Sequence, residues 1–494
     1  MKYISTRGGE KTGVSSAYAI KTGLANDKGL FMPEEIPALS LDEICSLTDA
    51  TYPQRAARIL SKYLTDYTYD ELVEDALAAY SEDRFFDFPA KLTDMNGEDY
   101  MLELWHGPTC AFKDMALQIM PRLFVRAQRK CGEDRTALIL VATSGDTGKA
   151  ALEGYRDVEG TKIKVFYPID GVSKVQKLQM QTQAGKNVSI TGIKGNFDDA
   201  QSGVKDIFAD TEYARELSEA GIFLSSANSI NWGRLVPQIV YYVSAYCDMI
   251  KCGAIEPGEY IDVCVPTGNF GNIFACYLAK KMGLPVCKLI CASNKNDVLT
   301  EFLNTGVYNK NRTFHTTISP SMDILISSNL ERLLYVTLGQ EKTAAYMEQL
   351  AKDGKYELSR EDFKAIKEDF VGYSADEDET AETIKSVYES KNCLIDPHTA
   401  VAFSATNKYR EANKAERKIL TVSTASAYKF AADVYASLTG SRPENELDSL
   451  ELLEKITAEP IPEPLKALAD KEVLHTSVIN KTDMKDAVSV FAKD

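Results

Sequence analysis

No C-x-x-C pair occurs in these 494 residues, although ten cysteines are present. The tightest group, Cys287 and Cys291 with Cys276 upstream, has no histidine nearby. The ligand spacing of a structural zinc site is therefore missing, and no metal is expected. Scattered free thiols in a large chain suit a reducing compartment, so a cytoplasmic location is expected. The first residues, MKYISTRGGEKTG, lack the apolar stretch of a secretory signal. Long hydrophobic runs are missing too. The longest uncharged one, 263–279, is interrupted by Pro266 and two Gly/Asn pairs and is too short to span a bilayer. Nor is there a surplus of basic charge. A net charge of −16 and a pI near 5.0 argue against a broad face for nucleic acid or anionic membrane. There is no internal repeat and no low-complexity tract.

What is there is the balance of an ordinary soluble protein, 44% hydrophobic and 26% charged, long enough for two to four domains. Residues 1–95 read as a mostly helical unit. Apolar residues recur at three- and four-residue spacing over 41–47, 53–63 and 69–80, after the turn signal Asn26-Asp27-Lys28-Gly29. Near Thr136 the rhythm changes. TALILVAT, KIKVFYPI, NVSITGIKG and IFLSSA read as short buried strands, and the stretches between them as helices. A long helix follows over 232–251. YIDVCVP and PVCKLICAS open a second such series, with Pro266 at its strand end, where a missing N–H is tolerated. Strands alternating with helices predict an α/β protein with open parallel sheets. The acidic stretch 374–382 reads as a solvated loop or helix start, and charged helices close the chain after Arg442.

Three strand-to-helix junctions carry candidate chemistry. Thr267-Gly268-Asn269-Phe270-Gly271-Asn272 suits either a tight turn or an anion cradle, in which backbone N–H groups and a helix N-terminus hold a phosphate. Ser144-Gly145-Asp146-Thr147-Gly148-Lys149 invites comparison with a nucleotide P-loop but fails twice. Thr143 stands where that motif needs glycine, and Ala150 where it needs the magnesium-binding hydroxyl. Its hydroxyls would instead cap the helix or bind a small carboxylate. Asn228-Ser229-Ile230-Asn231-Trp232-Gly233-Arg234 is either a polar loop or a grip on a phosphorylated substrate, with the Arg234 guanidinium forked over two oxygens.

Lys113 is the fourth candidate. It lies among Cys110, Ala111, Phe112, Met115, Ala116 and Leu117, at what reads as a helix start. Burial and the helix dipole both disfavour an ammonium there and favour a neutral, nucleophilic amine. The alternatives are a snorkelling lysine or one paired with Asp114. A phosphate cradle elsewhere in the chain strengthens the reactive reading, because pyridoxal phosphate needs both a lysine and such a cradle.

The segments HGPTCAFKD, ATSGDTGKAA, SANSINWGR, PTGNFGN and VSTASAYKF occur in this order. Together they resemble the threonine synthase family, pyridoxal-phosphate enzymes of the tryptophan synthase β-like fold (fold type II). YISTRG and GLANDKGLFMPEEIP resemble the family's N-terminal domain; SPSMDILISSNLERLLY and CLIDPHTAVA resemble its longer form. The resemblance implies a helical N-terminal domain over 1–95 and a catalytic region over 96–494. Within that region it implies a smaller lobe at about 135–230 and a larger lobe holding the rest, including a C-terminal helical extension. It implies conversion of O-phospho-L-homoserine and water to L-threonine and phosphate by β,γ-elimination and replacement. The alternatives are another lyase on this scaffold (a phospholyase or a serine/threonine dehydratase) or a non-catalytic relative. By the same resemblance Lys113 holds the pyridoxal 5'-phosphate, Gly268, Asn269, Phe270, Gly271 and Asn272 its phosphate, Thr424 its ring nitrogen, and Asp146 its ring hydroxyl. Ser144 and Thr147 face the substrate carboxylate; Asn228, Ser229 and Arg234 face the substrate phosphate. A monomer is expected over a homodimer. Two departures stand out. Ser426-Ala427 replace the family's usual His-Pro after Thr424, and Pro121 falls where it should kink or shorten the helix after Lys113.

Overall fold

The computed structural model describes residues 1–9, 12–143, 145–170 and 172–493, with every side chain among them except that of residue 198. Two sheets organise the chain. A strand covered by helices on both faces needs apolar residues at successive positions, not alternate ones. Thr136–Ala142 is buried at every position but its first, and Ile261–Pro266 throughout. The smaller sheet runs Val478–Asn480, Val188–Lys194, Thr161–Pro168, Thr136–Ala142, Ile222–Ser225, with all neighbours parallel. The larger runs Phe370–Ser374, Val286–Ser293, Ile261–Pro266, Ile419–Ser423, Asp99–Glu103, Lys91–Asp94. Its first five strands are parallel.

The last pair, at the edge of this otherwise parallel sheet, is antiparallel. The reason is local. Residues 95–98 are too short a connection for a parallel crossover, and Asp94 Oδ1 accepts from the amides of Asn96 and Gly97 to close a tight turn. The strand Lys91–Asp94 also carries the larger sheet back across residue 95, the expected edge of the N-terminal unit.

The N-terminal segment pairs Tyr3–Ser5 with Phe31–Pro33 and packs its helix Tyr52–Tyr63 beside the long helix Trp232–Lys251, with Tyr69–Ala79 against Tyr52–Tyr63. That helix has the bounds its periodicity predicts and is buried on nearly every face. One apolar cluster runs from Tyr3 and Tyr63 through Trp232 to Val263, so the N-terminal unit shares the core of the sheets. Pro121 acts as predicted. The helix Asp114–Leu117 stops after four residues, and Met120–Lys130 begins with Pro121 in its first turn, where a missing N–H costs nothing. The acidic stretch opens the helix Glu377–Lys391, capped by Asp376.

The C-terminal extension divides, contrary to its expected assignment to the larger lobe alone. The helix Ser449–Thr457 packs beside Ala431–Thr439. The tail then crosses over. Val478–Asn480 joins the edge of the smaller sheet, and Met484–Lys493 covers that sheet beside Phe166 and Ala200. Lys162 Nζ fastens it by donating to the carbonyls of Phe491 and Ala492 at 3.2 and 3.1 Å. An exposed sheet edge with free N–H and C=O groups is what such a strand satisfies. Among the described residues no helix is long and apolar enough to cross a membrane, and no group of three or more His, Cys, Asp or Glu is placed to hold a metal.

Arg55 joins the N-terminal unit to the long helix. Its guanidinium donates to Leu47 O, Thr48 O, Ser244 Oγ and Asp248 Oδ1 at 2.7–2.9 Å. Arg55→Ala strips Asp248 of its partner and is expected to destabilise by about 3 kcal/mol. A lowered urea midpoint measured by circular dichroism checks this, and loss of signal in one transition checks the shared core.

Candidate active site

Lys113 leaves a tight turn. Cys110 N donates to Gly107 O at 3.0 Å, and Cys110 takes a left-handed φ of 57°, uncommon for a residue with a side chain. Backbone hydrogen bonds then lace this segment to the end of the strand Ile419–Ser423. Leu104 N donates to Ser423 O (3.0 Å), Phe112 N to Thr424 O (2.8 Å) and Ser426 N to Cys110 O (3.1 Å). Main-chain bonding alone thus brings Lys113 beside the buried Thr424, from opposite ends of the catalytic region. Ser426 Oγ accepts from Tyr428 N at 3.3 Å and starts the short helix Ala427–Phe430, so the departure from His-Pro leaves the loop with its own cap.

Asp114 does not pair with Lys113. Its carboxylate accepts from the amide and hydroxyl of Thr109, both at 2.8 Å, and burial pushes its carboxyl up to about 6. The Lys113 ammonium instead faces Asp146 Oδ2 at 3.5 Å and Ser321 Oγ at 3.3 Å, and lies 5.0 Å from the centroid of the Phe112 ring. Burial is the largest effect on it and lowers its pKa. Asp146 opposes that; the charges of Lys429 and Arg234 reinforce it. The helix dipole expected behind Lys113 is slight, because that helix has only four residues.

Asp146 begins the helix Asp146–Tyr155. Gln176 Nε2 donates to its Oδ1 at 2.7 Å, and Lys429 Nζ stands 2.8 Å from the same oxygen. Burial opposes ionisation, but Lys429 and Lys113 outweigh it and hold the carboxyl well below the usual range. Gly145, at φ 143°, makes this possible: a Cβ there would lie 2.6 Å from the Gln176 amide. The helix start is capped by Thr143 Oγ1, which accepts from Gly145 N and Gly148 N at 3.0 and 2.9 Å. Capping therefore falls to a residue before the motif. Thr147 is half-buried on the first turn, and Ser144 lies outside the described residues.

In the second junction the left-handed residue is Phe270 (φ 62°), not a glycine. Its ring is buried against Phe370, 5.6 Å between centroids, which offsets the cost of that backbone. Gly268 is needed for another reason: a Cβ on it would lie 2.6 Å from the Ser321 carbonyl oxygen. Asn269 is exposed, and its carbonyl accepts from Asn329 N and Nδ2 at 3.1 and 2.9 Å. Gly271 and Asn272 open the helix Gly271–Met282. Asn272 Oδ1 accepts from Tyr241 and Tyr242, while its buried Nδ2 has no protein partner. A twelve-residue helix whose first turn carries an orphaned amide donor fits an anion such as a cofactor phosphate.

Arg234 lies in the first turn of the long helix, 3% exposed. Nη1 donates to Ala227 O at 2.6 Å, Nε has no protein partner, and no carboxylate pairs with it among the described residues. Burial pulls its pKa down to about 10. Asn228 and Ser229 are half-buried; Ser229 O accepts from Arg332 at 3.5 Å.

Three residues at the centre were missed by sequence reasoning. Ser321 belongs to SPSMD, whose only signal is its likeness to the family. Gln176 carries no local signal. Lys429 sits in VSTASAYKF, a lysine set among apolar residues like Lys113, and that parallel could have found it.

A buried amine beside a carboxylate, facing an anion cradle at a strand-to-helix junction of an open parallel sheet, defines a pyridoxal-phosphate-dependent enzyme of fold type II. Residues 96–425 match the family described as pyridoxal-phosphate dependent enzyme, and residues 2–80 the threonine synthase N terminus. The chain is 38% identical to the threonine synthase of Pseudomonas aeruginosa over 92% of its own length and 94% of that protein's. It superposes on the solved pyridoxal-phosphate-bound threonine synthase of Brucella melitensis with a TM-score of 0.87 and 35% identity, over all of both chains. On the yeast threonine synthase structure the TM-score is 0.88 at 33% identity, over 100% and 98% of the two chains. The chain belongs to the threonine synthase family.

Gly268→Ala drives a methyl into the Ser321 carbonyl and is expected to weaken pyridoxal phosphate binding by roughly tenfold, the effect of one to two kcal/mol of overpacking. Titration of the apo-protein followed by tryptophan fluorescence reads it.

Proposed function

We infer that the chain catalyses the threonine synthase reaction, taking O-phospho-L-homoserine and water to L-threonine and phosphate. The observation that carries this is Arg234. It is a buried guanidinium whose Nε has no partner and which meets no carboxylate among the described residues, and its charge reaches Lys113. A cofactor phosphate accounts for the cradle at Gly268, Asn269, Phe270, Gly271 and Asn272. A second anion-seeking group beside the same lysine calls for a substrate that carries its own phosphate. A serine/threonine dehydratase has no such need.

Pyridoxal phosphate, when bound, supplies the electron sink for the carbanions that form as protons leave the substrate. The rest is the work of this chain. Lys113 would hold the cofactor, and its Nζ, made less basic by burial, would take the proton from Cα. Arg234, Asn228 and Ser229 grip the phosphate that leaves from Cγ. Ser144 and Thr147 orient the carboxylate. Thr424 offers the ring nitrogen a hydroxyl rather than an acid, and Asp146 faces the ring hydroxyl. Residues 1–95 act as a buttress to the catalytic region 96–494. With ten free thiols, the enzyme works in the cytoplasm, and as a monomer in preference to a homodimer.

Borohydride reduction and peptide mapping should label Lys113 and no other lysine. Threonine and phosphate should appear in equal amounts from O-phospho-L-homoserine; phosphate with 2-oxobutyrate and no threonine would replace this reading with a lyase. Arg234→Met should raise KM for the phosphorylated substrate at least roughly tenfold while the label on Lys113 persists.

A further inference from the structure

Lys429 is fully buried, yet it has no place in the chemistry described so far. Its ammonium lies 2.8 Å from Asp146 Oδ1 and donates to Thr109 O at 2.8 Å. Taking an ammonium out of water costs several kcal/mol, and one carbonyl does not offset that. A lysine sealed here is explained by the carboxylate it meets. The two oxygens of Asp146 divide their partners. Oδ1 takes Lys429 and Gln176; Oδ2 faces Lys113 at 3.5 Å and Ser321 at 3.5 Å. Asp146 is therefore gripped on one side and presented on the other.

Lys113 must change its charge as it works, and a carboxylate that relied on it alone would lose its counter-charge each time. We propose that Lys429 is a positioning residue of the active site: its ammonium holds Asp146 as a carboxylate, turned so that Oδ2 faces Lys113, whatever the state of Lys113. This rests on the reading that Asp146 faces the ring hydroxyl of the cofactor. Lys429 also acts on Lys113. Two like charges share one carboxylate, so Lys429 disfavours protonation of Lys113, as Arg234 does; Asp146 alone favours it. The other ionisable groups that feel Lys429 are the Asp114 carboxyl and the Cys110 thiol, both raised by burial.

The sign of the effect makes the test. Lys429→Met removes the charge and keeps the length. In the full chain stripped of cofactor, Lys113 should then hold its proton about one pH unit higher, the scale of a nearby charge. Competitive acetylation across pH 6–10, read by mass spectrometry of the Lys113 peptide, should find labelling at pH 8 reduced roughly five- to tenfold. Lys429→Arg keeps the charge and should restore the profile. In the loaded enzyme the acidic limb of the kcat profile should move up with it. An unchanged Lys113 labelling profile in Lys429→Met overturns the proposal. If that variant does not fold, Asp146→Asn and the double variant Asp146→Asn/Lys429→Met replace it. In the Asp146→Asn chain Lys429 has no carboxylate left to position, so its further loss should leave the cofactor affinity of Asp146→Asn unchanged, and an additional roughly tenfold loss overturns the proposal. A wild-type chain that makes no threonine defeats the functional reading, while the labelling still judges Lys429.

Discussion

One carboxylate between two buried ammonium groups sets the terms for the rest of the site. Asp146 can stand ionised while buried because Lys429 and Lys113 flank it, and Lys113 is less basic than a free lysine because burial, with its two cationic neighbours, outweighs what Asp146 gives it. Each of these groups would be expensive to bury alone. The backbone that carries them is correspondingly constrained. Cys110 adopts a left-handed turn, Gly145 admits the Gln176 amide, and Thr109 supplies one carbonyl to Lys429 and two donors to Asp114.

The larger lobe is closed beside the site by main-chain bonding as much as by side chains. Segment 104–112 runs along 423–426, so the turn that delivers Lys113 and the strand end that delivers Thr424 are a single piece of structure. The loop around Ser321 closes the other side. His398 Nε2 accepts from Ser321 N at 3.1 Å, and His398 Nδ1 is held by Asp396 at 2.7 Å, which fixes the tautomer with the proton on Nδ1. Asp323 accepts from Thr317, Asn294 and Asn296 and ties down the same loop. Ser321 is thereby set against both Lys113 and the Gly268 backbone.

Much of this was legible in the sequence, for physical reasons. Strands buried on both faces write themselves as unbroken apolar runs, and the long helix falls at 232–251 as read. Pro121 could be read because its effect is local. What escaped was non-local. The left-handed residue of the phosphate cradle is Phe270, since a ring packed on Phe370 outweighs the usual preference for glycine there. The tail that crosses to the smaller sheet obeys an open strand edge far away in the chain. Lys429 and Ser321 gain meaning only from Asp146 and Lys113, and no spacing rule connects them.

Arg332 shows how far such couplings extend. It is fully buried and makes no ion pair among the described residues; burial pulls its pKa down to about 9, against the charge of Glu331. Its guanidinium instead collects oxygens from three separate segments: Phe31 O in the N-terminal unit, Ser229 O and Ile230 O in the loop before Arg234, and Asn329 Oδ1. Asn329 in turn donates twice to the carbonyl of Asn269 in the phosphate cradle. One cation therefore binds the loop before Arg234 to the Gly268–Asn272 loop, and both to the N-terminal strand pair. The two loops cannot shift independently, because moving either breaks bonds to a buried guanidinium. The N-terminal segment is on this account part of the active site's frame, which is the physical sense of a core shared from Tyr3 to Val263.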